Sequence, residues 1–291
     1  MANFFALIVA GLSTGALYAL VAAGFALLWQ TSQTINFAQG EFVMLPAFFV
    51  LAATGRGAPF WLAVLIAVLL SALILGAAFK RMLVDPMLRH GVMPLAIATM
   101  ALSTFLKESV KTFYSAEASP FPALVPDVTV NVFGAALPAQ SLLAMLVALT
   151  VAFGLQWALN ATSIGRQMQA TAQNPTVARI LGIPVGRMVM IAFVLNAVLV
   201  AVASILIAPI YLAKFNTGET LGLSAFVAAI VGGFNRVSGA VAGGLLLGIV
   251  DNIAAAYVST AYRGAIPLVV LVAVILFRPA GLFGKAEERT I

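Results

Sequence analysis

A chain of 291 residues that is 63% hydrophobic and 8% charged is not a soluble globule, because soluble domains carry roughly 25% charged residues. Its mean hydropathy of +1.11 agrees, and several stretches reach the roughly 20 apolar residues that cross a hydrocarbon core, which marks a polytopic helical membrane protein and excludes a β-barrel, whose spans alternate and are only about ten long. The net charge of +6 is then a matter of orientation, with no nucleic-acid partner implied, and the absence of cysteine removes disulfides, thiol chemistry and Cys-ligated metal.

Nine hydrophobic segments follow one another at about 4–29, 41–54, 59–79, 92–111, 138–160, 188–213, 221–234, 237–258 and 265–278. Phe4–Leu28 is too long for the apolar core of a signal peptide and lacks a basic stretch before it, so it reads as a retained first span. Seven segments are of spanning length or near it. Glu41–Thr54 and Leu221–Phe234 are short, and such runs are often half-helices or re-entrant pieces. The expected fold is all-α, a polytopic integral membrane helical bundle of about 8–9 segments in a single domain over residues 1–291. Gly11, Gly15 and Ala19, and again Gly232, Gly233, Gly239, Gly243, Gly244 and Gly248, are small enough for close helix contacts.

The lead-in to the second segment, Thr31–Glu41, sets Thr34, Asn36, Gln39 and Glu41 around Phe37 and Gly40. Backbone that leaves a helix at membrane depth survives only when buried in protein or lining a wet cavity. Carboxamides can satisfy the freed backbone groups there, glycine admits a neighbouring chain, and Glu41 suits the positive end of a helix dipole. The favoured reading is a pathway lining; the alternative is a simple interfacial turn. A comparable lead-in precedes the seventh segment, so that Gln30–Phe49 and Lys214–Phe234 form a weak internal two-fold repeat. Paired, interrupted segments of this kind point to a substrate pathway near the membrane middle. Asp251, beside Asn252 in an otherwise apolar span, is expensive to bury and is expected to face a neighbouring helix or a ligand. The expected pathway set is Asn36, Phe37, Gln39, Gly40, Glu41, Ser224 and Asp251.

Other polar residues read more plainly. Lys107 and Glu108 fall near a span end, where snorkelling explains them. His90, the one histidine, sits beside Arg89 and reads as solvated. Ser115–Gln140 carries Pro120, Pro122, Pro126 and Pro138 and is too proline-rich for a helix; it is an outside loop, either a connector or a contact surface. With the N-terminus outside, Lys80, Arg81, Arg89, Arg166, Arg179, Arg187, Arg236, Arg278, Lys285 and Arg289 are inside, against Arg56, Lys107, Lys111, Lys214 and Arg263 outside. The opposite orientation would invert that two-to-one ratio of basic residues.

Thr162–Arg187 is a polar island between two long apolar runs, with three arginines, no acid, and helix formers broken at Asn174-Pro175. A loop that merely turned the chain could be far shorter, so the island reads as a cytoplasmic docking surface. Catalysis has no foothold: one histidine permits no Ser/His/Asp set with spare members, and there is neither an HExxH nor a GxxxxGK[ST] sequence. Energy for transport would come from an ion gradient or from a separate nucleotide-hydrolysing subunit. The few scattered acids of the spans and the long basic island favour the second.

Four stretches carry a resemblance: Gly11–Leu27, Ile35–Leu45, the island residues Ser163–Ile183, and Ala225–Gly248 with Phe277–Gly284. Together they make the chain similar, over essentially its whole length, to the LivH-type permease subunits of bacterial ABC importers for branched-chain amino acids. The resemblance implies an inner-membrane protein with a sister permease of the LivM type, two cytoplasmic ATPase subunits and a periplasmic substrate-binding protein. It implies no cofactor in this chain, ATP being hydrolysed by the partners. It also implies that Gly165, Arg166, Ala170, Asn174, Ala178 and Gly182 belong to the ATPase-coupling element, within a loop over 162–187. Gln169 stands where many relatives carry a basic residue.

Overall fold

The computed structural model describes residues 2–114, 116–132, 135–260 and 264–284; Arg263, Lys285 and Arg289 of the charge distribution lie outside the described residues. The helices are α1 (Ala2–Ser32), α2 (Gln39–Thr54), α3 (Phe60–Leu70), α4 (Asp85–Leu88), α5 (Val92–Phe113), α6 (Ala139–Ala161), α7 (Ser163–Gln173), α8 (Pro175–Ile180), α9 (Val185–Tyr211), α10 (Thr217–Gly232), α11 (Val237–Tyr257) and α12 (Ile266–Phe277). Five helical stretches are long and apolar enough to cross a membrane: Ala6–Ser32, Phe60–Leu88, Ala139–Ala161, Val185–Tyr211 and Val237–Tyr257. The helices α2, α10 and α12 are apolar but shorter. α5 has the length, at 22 residues, but Lys107, Glu108 and Lys111 crowd its C-terminal part.

Phe60–Leu88 is one continuous helix whose middle widens into π-helical turns over Ser71–Ala78 and Lys80–Val84. Backbone bonds there link residues five apart. The side chains follow the same spacing: Lys80, largely buried, meets Asp85 at 2.9 Å. The widened turn also presses Gly76 against α9, where an added Cβ would stand 2.8 Å from the Val194 Cα.

The apolar pattern is inverted relative to a soluble protein. Trp61, Leu65, Leu69 and Leu73, spaced every four residues on one face, all point outward. That is the face lipid would wet, while the inside is lined by small residues such as Ala16, Ala19, Ala22, Ala23 and Ala26. Close packing follows directly. A Cβ on Gly11 would lie 2.7 Å from the Ile249 Cα and one on Gly15 2.9 Å from the Leu245 Cα, so α1 and α11 touch backbone to backbone. Small-residue contact of this sort is how helices associate where lipid removes the hydrophobic drive.

The fold is nearly all-α. Among the described residues the departure is a hairpin in the proline-rich stretch between α5 and α6, β1 (Thr129–Val132) and β2 (Ala135–Pro138), antiparallel with Thr129 opposite Pro138. Prolines at 120, 122 and 126 bar a helix there, and β-branched Thr129, Val130 and Val132 favour strands. The same loop is tied to the α9–α10 connection by two backbone bonds between Ser119 and Ala213, at 2.9 and 3.0 Å.

Candidate functional site

The two short apolar helices begin at one place. A Cβ on Gly222 would lie 2.6 Å from the Gly40 Cα, and one on Gly218 would lie 2.6 Å from the Gly40 carbonyl carbon, so the first turns of α2 and α10 are in backbone contact. From this point they diverge. α2 runs parallel to α9: Gln39 bonds Asn196 and, eight residues on in both helices, the Ala47 N–H donates to Ser204 at 3.0 Å. α10 heads for the other end of the bundle, passing Phe226 against Phe25 (5.4 Å between ring centroids) and leading to Phe234 against Trp29 (5.5 Å) at the end of α1. Each has 16 residues, about 24 Å at 1.5 Å per residue, so each covers part of the roughly 46 Å that α1 spans alone.

Gln39 and Asn196 exchange both amide bonds, Nε2 to Oδ1 at 2.7 Å and Nδ2 to Oε1 at 2.9 Å, in the fully buried centre. Gly24 of α1 covers them, with room for no Cβ: one would stand 2.9 Å from Gln39 Nε2. This ring satisfies polar atoms in an apolar interior, and breaking it by half is worse than removing it. Gln39→Met leaves the Asn196 amide buried and unpaired, a loss of about 1–3 kcal/mol. The double variant with Asn196→Leu is expected to recover most of that. Thermal unfolding of the detergent-solubilised protein checks both, and equal destabilisation in the single and double variants would sink the account.

Beside this ring lies a cavity of about 240 Å³, lined by Phe37, Gly40 and Glu41 from the α2 side, Ser103 from α5, Glu219 and Phe226 from α10, and neighbours including Phe25. Glu41 is buried, and it is close enough to Glu219 and Lys107 to feel both charges. Lys107 Nζ meets Glu219 Oε2 at 3.1 Å; the span-end lysine thus reaches across to α10 where snorkelling alone would have sent it to the interface. Asn36 is buried next to the start of α2, where its Oδ1 accepts from the Ala38 N–H at 3.0 Å, and its Nδ2 has no hydrogen-bond partner among the described residues. The structure therefore gathers Phe37, Gly40 and Glu41 in one wall, with Asn36 and Gln39 in the packing behind it. Ser224 is buried on α10 but outside that wall. Asp251 is buried on α11 with the Tyr18 hydroxyl 3.4 Å from Oδ2, also outside it.

Sequence reasoning passes over Asn196, Ser103, Lys107 and Glu219 as members of this region. Two signals were present: a lone carboxamide inside an apolar run (Asn196), and the Gly-Glu pair at the start of both short helices (Gly40-Glu41, Gly218-Glu219).

The polar island folds into α7 and α8, broken at Asn174 as its Asn-Pro sequence requires. Thr162 caps α7, its hydroxyl accepting from the Gly165 N–H at 3.0 Å. Asn174 caps α8, accepting from Thr176 and Val177, both at 3.0 Å. Gly165 is buried against the end of α6, where a Cβ would stand 2.5 Å from the Leu159 Cα. Arg166 is exposed and its Nη1 donates to the Ala161 carbonyl at 3.0 Å. Ala170 is half-buried, Ala178 buried, and Gly182 exposed at φ +79°, closing the turn after α8. Gln169 turns back to α6, donating to Leu159 O at 3.0 Å and Asn160 Oδ1 at 3.1 Å. Around the Gly182 turn three apolar side chains stand out of an otherwise polar segment: Val177, Ile180 and Leu181, the last two 80% and 71% exposed. Between α7, the end of α6 and the start of α11 lies a larger cavity of about 530 Å³, edged by Gln156, Asn160, Gln169, Gln173, Asn235 and Arg236 among others.

Residues 7–275 match the family described as "Branched-chain amino acid transport system / permease component". The chain is 30% identical to the high-affinity branched-chain amino acid transport system permease protein BraD of Pseudomonas aeruginosa, over 98% of this chain and 97% of that protein. It is 28% identical to the corresponding permease protein LivH of Escherichia coli, over 97% of this chain and 96% of that one. A probable branched-chain amino acid transport permease of Methanocaldococcus jannaschii is 25% identical over 92% of this chain and 89% of its own length. These matches cover nearly the whole chain: it belongs to the branched-chain amino acid transport system permease family.

Proposed function

We propose that this chain is the membrane-spanning permease subunit of an ATP-driven importer of branched-chain or related hydrophobic amino acids in a bacterial inner membrane. The observation that carries the reading is the match over nearly the whole chain to permease components of one transport system. In this reading it works beside a sister permease of the LivM type, with two cytoplasmic ATPase subunits and a periplasmic substrate-binding protein. Residues 1–291 form one permease domain, and the 8–9 segments include two half-helices, α2 and α10, that are the corresponding pieces of an internal two-fold repeat. Their shared starting point, each with a Gly-Glu pair, supports that repeat, and broken helix continuity of this kind supports a substrate pathway there.

The pathway is lined by Phe37, Gly40 and Glu41, with Asn36, Gln39, Ser224 and Asp251 supporting it from neighbouring packing. The ATPases couple through 162–187, where Gly165, Arg166 and Ala170 seat and orient α7, and Asn174, Ala178 and Gly182 shape the tip. The coupling requires that the tip be contacted differently in two states of the ATPase pair. Reconstitution tests this: proteoliposomes holding both permeases and the ATPases are expected to accumulate leucine, isoleucine or valine only with ATP inside the ATPase compartment and loaded binding protein on the other side. Accumulation by the permease alone under a proton or sodium gradient would instead make it an ion-coupled carrier. Within the working complex, Glu41→Leu is expected to lower uptake at least about tenfold at unchanged assembly, the scale of a lost charged contact.

A further inference from the structure

The cavity between the two helix starts carries an unbalanced charge. By formal charge Glu41 and Glu219 are each −1 and Lys107 is +1, and Lys107 is already engaged by Glu219 at 3.1 Å. The Glu219 side chain is 66% exposed and the Lys107 side chain 27% exposed on this chain, while Glu41 is buried. Charged groups in a membrane body do not face lipid; they face a wet cavity or a protein neighbour. Apart from Ser103 and the glycines the rest of the wall is apolar and aromatic, with Phe226 6.1 Å from Phe37 and 5.4 Å from Phe25 between ring centroids. A volume of 240 Å³ equals about eight waters at roughly 30 Å³ each, the size of a small solute.

We infer that this cavity selects its solute by an ammonium group, received by Glu41 with Glu219 as the second carboxylate, while the Phe25, Phe37 and Phe226 rings receive a short aliphatic side chain. The inference rests on the pathway reading above and adds a selectivity filter to the permease itself. One surplus negative charge beside an apolar wall is complementary to a monocation with a hydrophobic tail and repels an anion of the same shape. Lys107 holds Glu219 in place at 3.1 Å without cancelling the pair of carboxylates.

The chain contains no cysteine, so Ser103→Cys puts a single thiol of this subunit in the cavity wall. In complexes assembled with cysteine-free partners, that thiol is treated with a cationic trimethylammonium-ethyl methanethiosulfonate or with its anionic sulfonato-ethyl counterpart. The cationic reagent is expected to react at least about tenfold faster than its intrinsic advantage, the scale of one charge at close range in a protein cavity. Leucine is expected to slow the reaction, whereas 4-methyl-2-oxopentanoate, the same skeleton without the ammonium, is not. Glu41→Gln is expected to abolish both the charge preference and the leucine protection, and Glu219→Gln, at an exposed position that folding tolerates, to reduce the preference. A rate ratio no larger than the reagents' intrinsic one, or equal protection by both solutes, overturns the ammonium assignment and leaves the pathway reading standing. A thiol that neither reagent reaches in any transport state overturns both.

Discussion

Replacing Gly218 by leucine is expected to abolish uptake by the assembled importer and to lower the thermal stability of the isolated chain. The reason is geometric. A side chain at 218 meets the Gly40 carbonyl and the Glu41 nitrogen, backbone atoms that cannot rotate aside as a flexible side chain could. Overpacking in a well-packed core costs about 1–3 kcal/mol; here relief requires the first turns of α2 and α10 to part, which also breaks up the cavity between them. Gly40→Leu is expected to behave alike, since its Cβ would meet the carbonyl of Gly218. Gly154→Leu supplies the control: nothing lies within 4 Å of a Cβ there, so it is expected to insert, unfold and transport like the parent. Uptake within twofold of the parent for Gly218→Leu would show that the contact of the two helix starts is dispensable.

The second large effect is expected at the tip of the polar island. Ile180 and Leu181 are exposed in a segment otherwise covered with amides and arginines, and the turn that presents them depends on Gly182 at φ +79°. Fully burying one such side chain against a partner is worth about 1.5–3 kcal/mol. Ile180→Asp with Leu181→Asp loses both contributions and adds two desolvated charges. The affinity of the permease pair for its ATPases is therefore expected to fall at least about a hundredfold, with stimulation of ATP hydrolysis by loaded binding protein lost at accessible ATPase concentrations. Insertion in the membrane and binding of the external protein should persist, because neither aspartate touches the bundle. Co-purification of the ATPases and their stimulated rate measure the outcome; parental values for both would remove this tip from the docking surface.

Much of the architecture is legible from apolar run lengths, because a span needs a length set by the bilayer and the alanine- and glycine-rich faces announce close packing. The break at Asn174-Pro175 is local chemistry, and it ends one helix and caps the next as its residues dictate. The short second and seventh segments are visible as short, yet their meeting is not. Gly40 and Gly218 are 178 positions apart, and sequence spacing alone says nothing about contact over that distance. The same holds for Lys107 with Glu219 and for Gln39 with Asn196, 112 and 157 positions apart. Lys107 read alone sits near a helix end and looks like an interfacial residue; only the fold supplies the acid that recruits it. Asp251 shows the converse. A buried carboxylate in an apolar span marks an expensive position, and the structure answers that expense with Tyr18 of the adjacent α1, away from the cavity.

The clasp between Ser119 and Ala213 joins the proline-rich loop to the α9–α10 connector by main chain alone. Two main-chain bonds link the loop to the connector, and Gly218 lies only five positions beyond Ala213. A protein that settles on the outer loop and displaces it drags the start of α10 along, with no intervening side chain to absorb the motion. In the proposed importer, a load placed on that loop is thus expected to arrive at the gap between the half-helices as a mechanical pull on backbone.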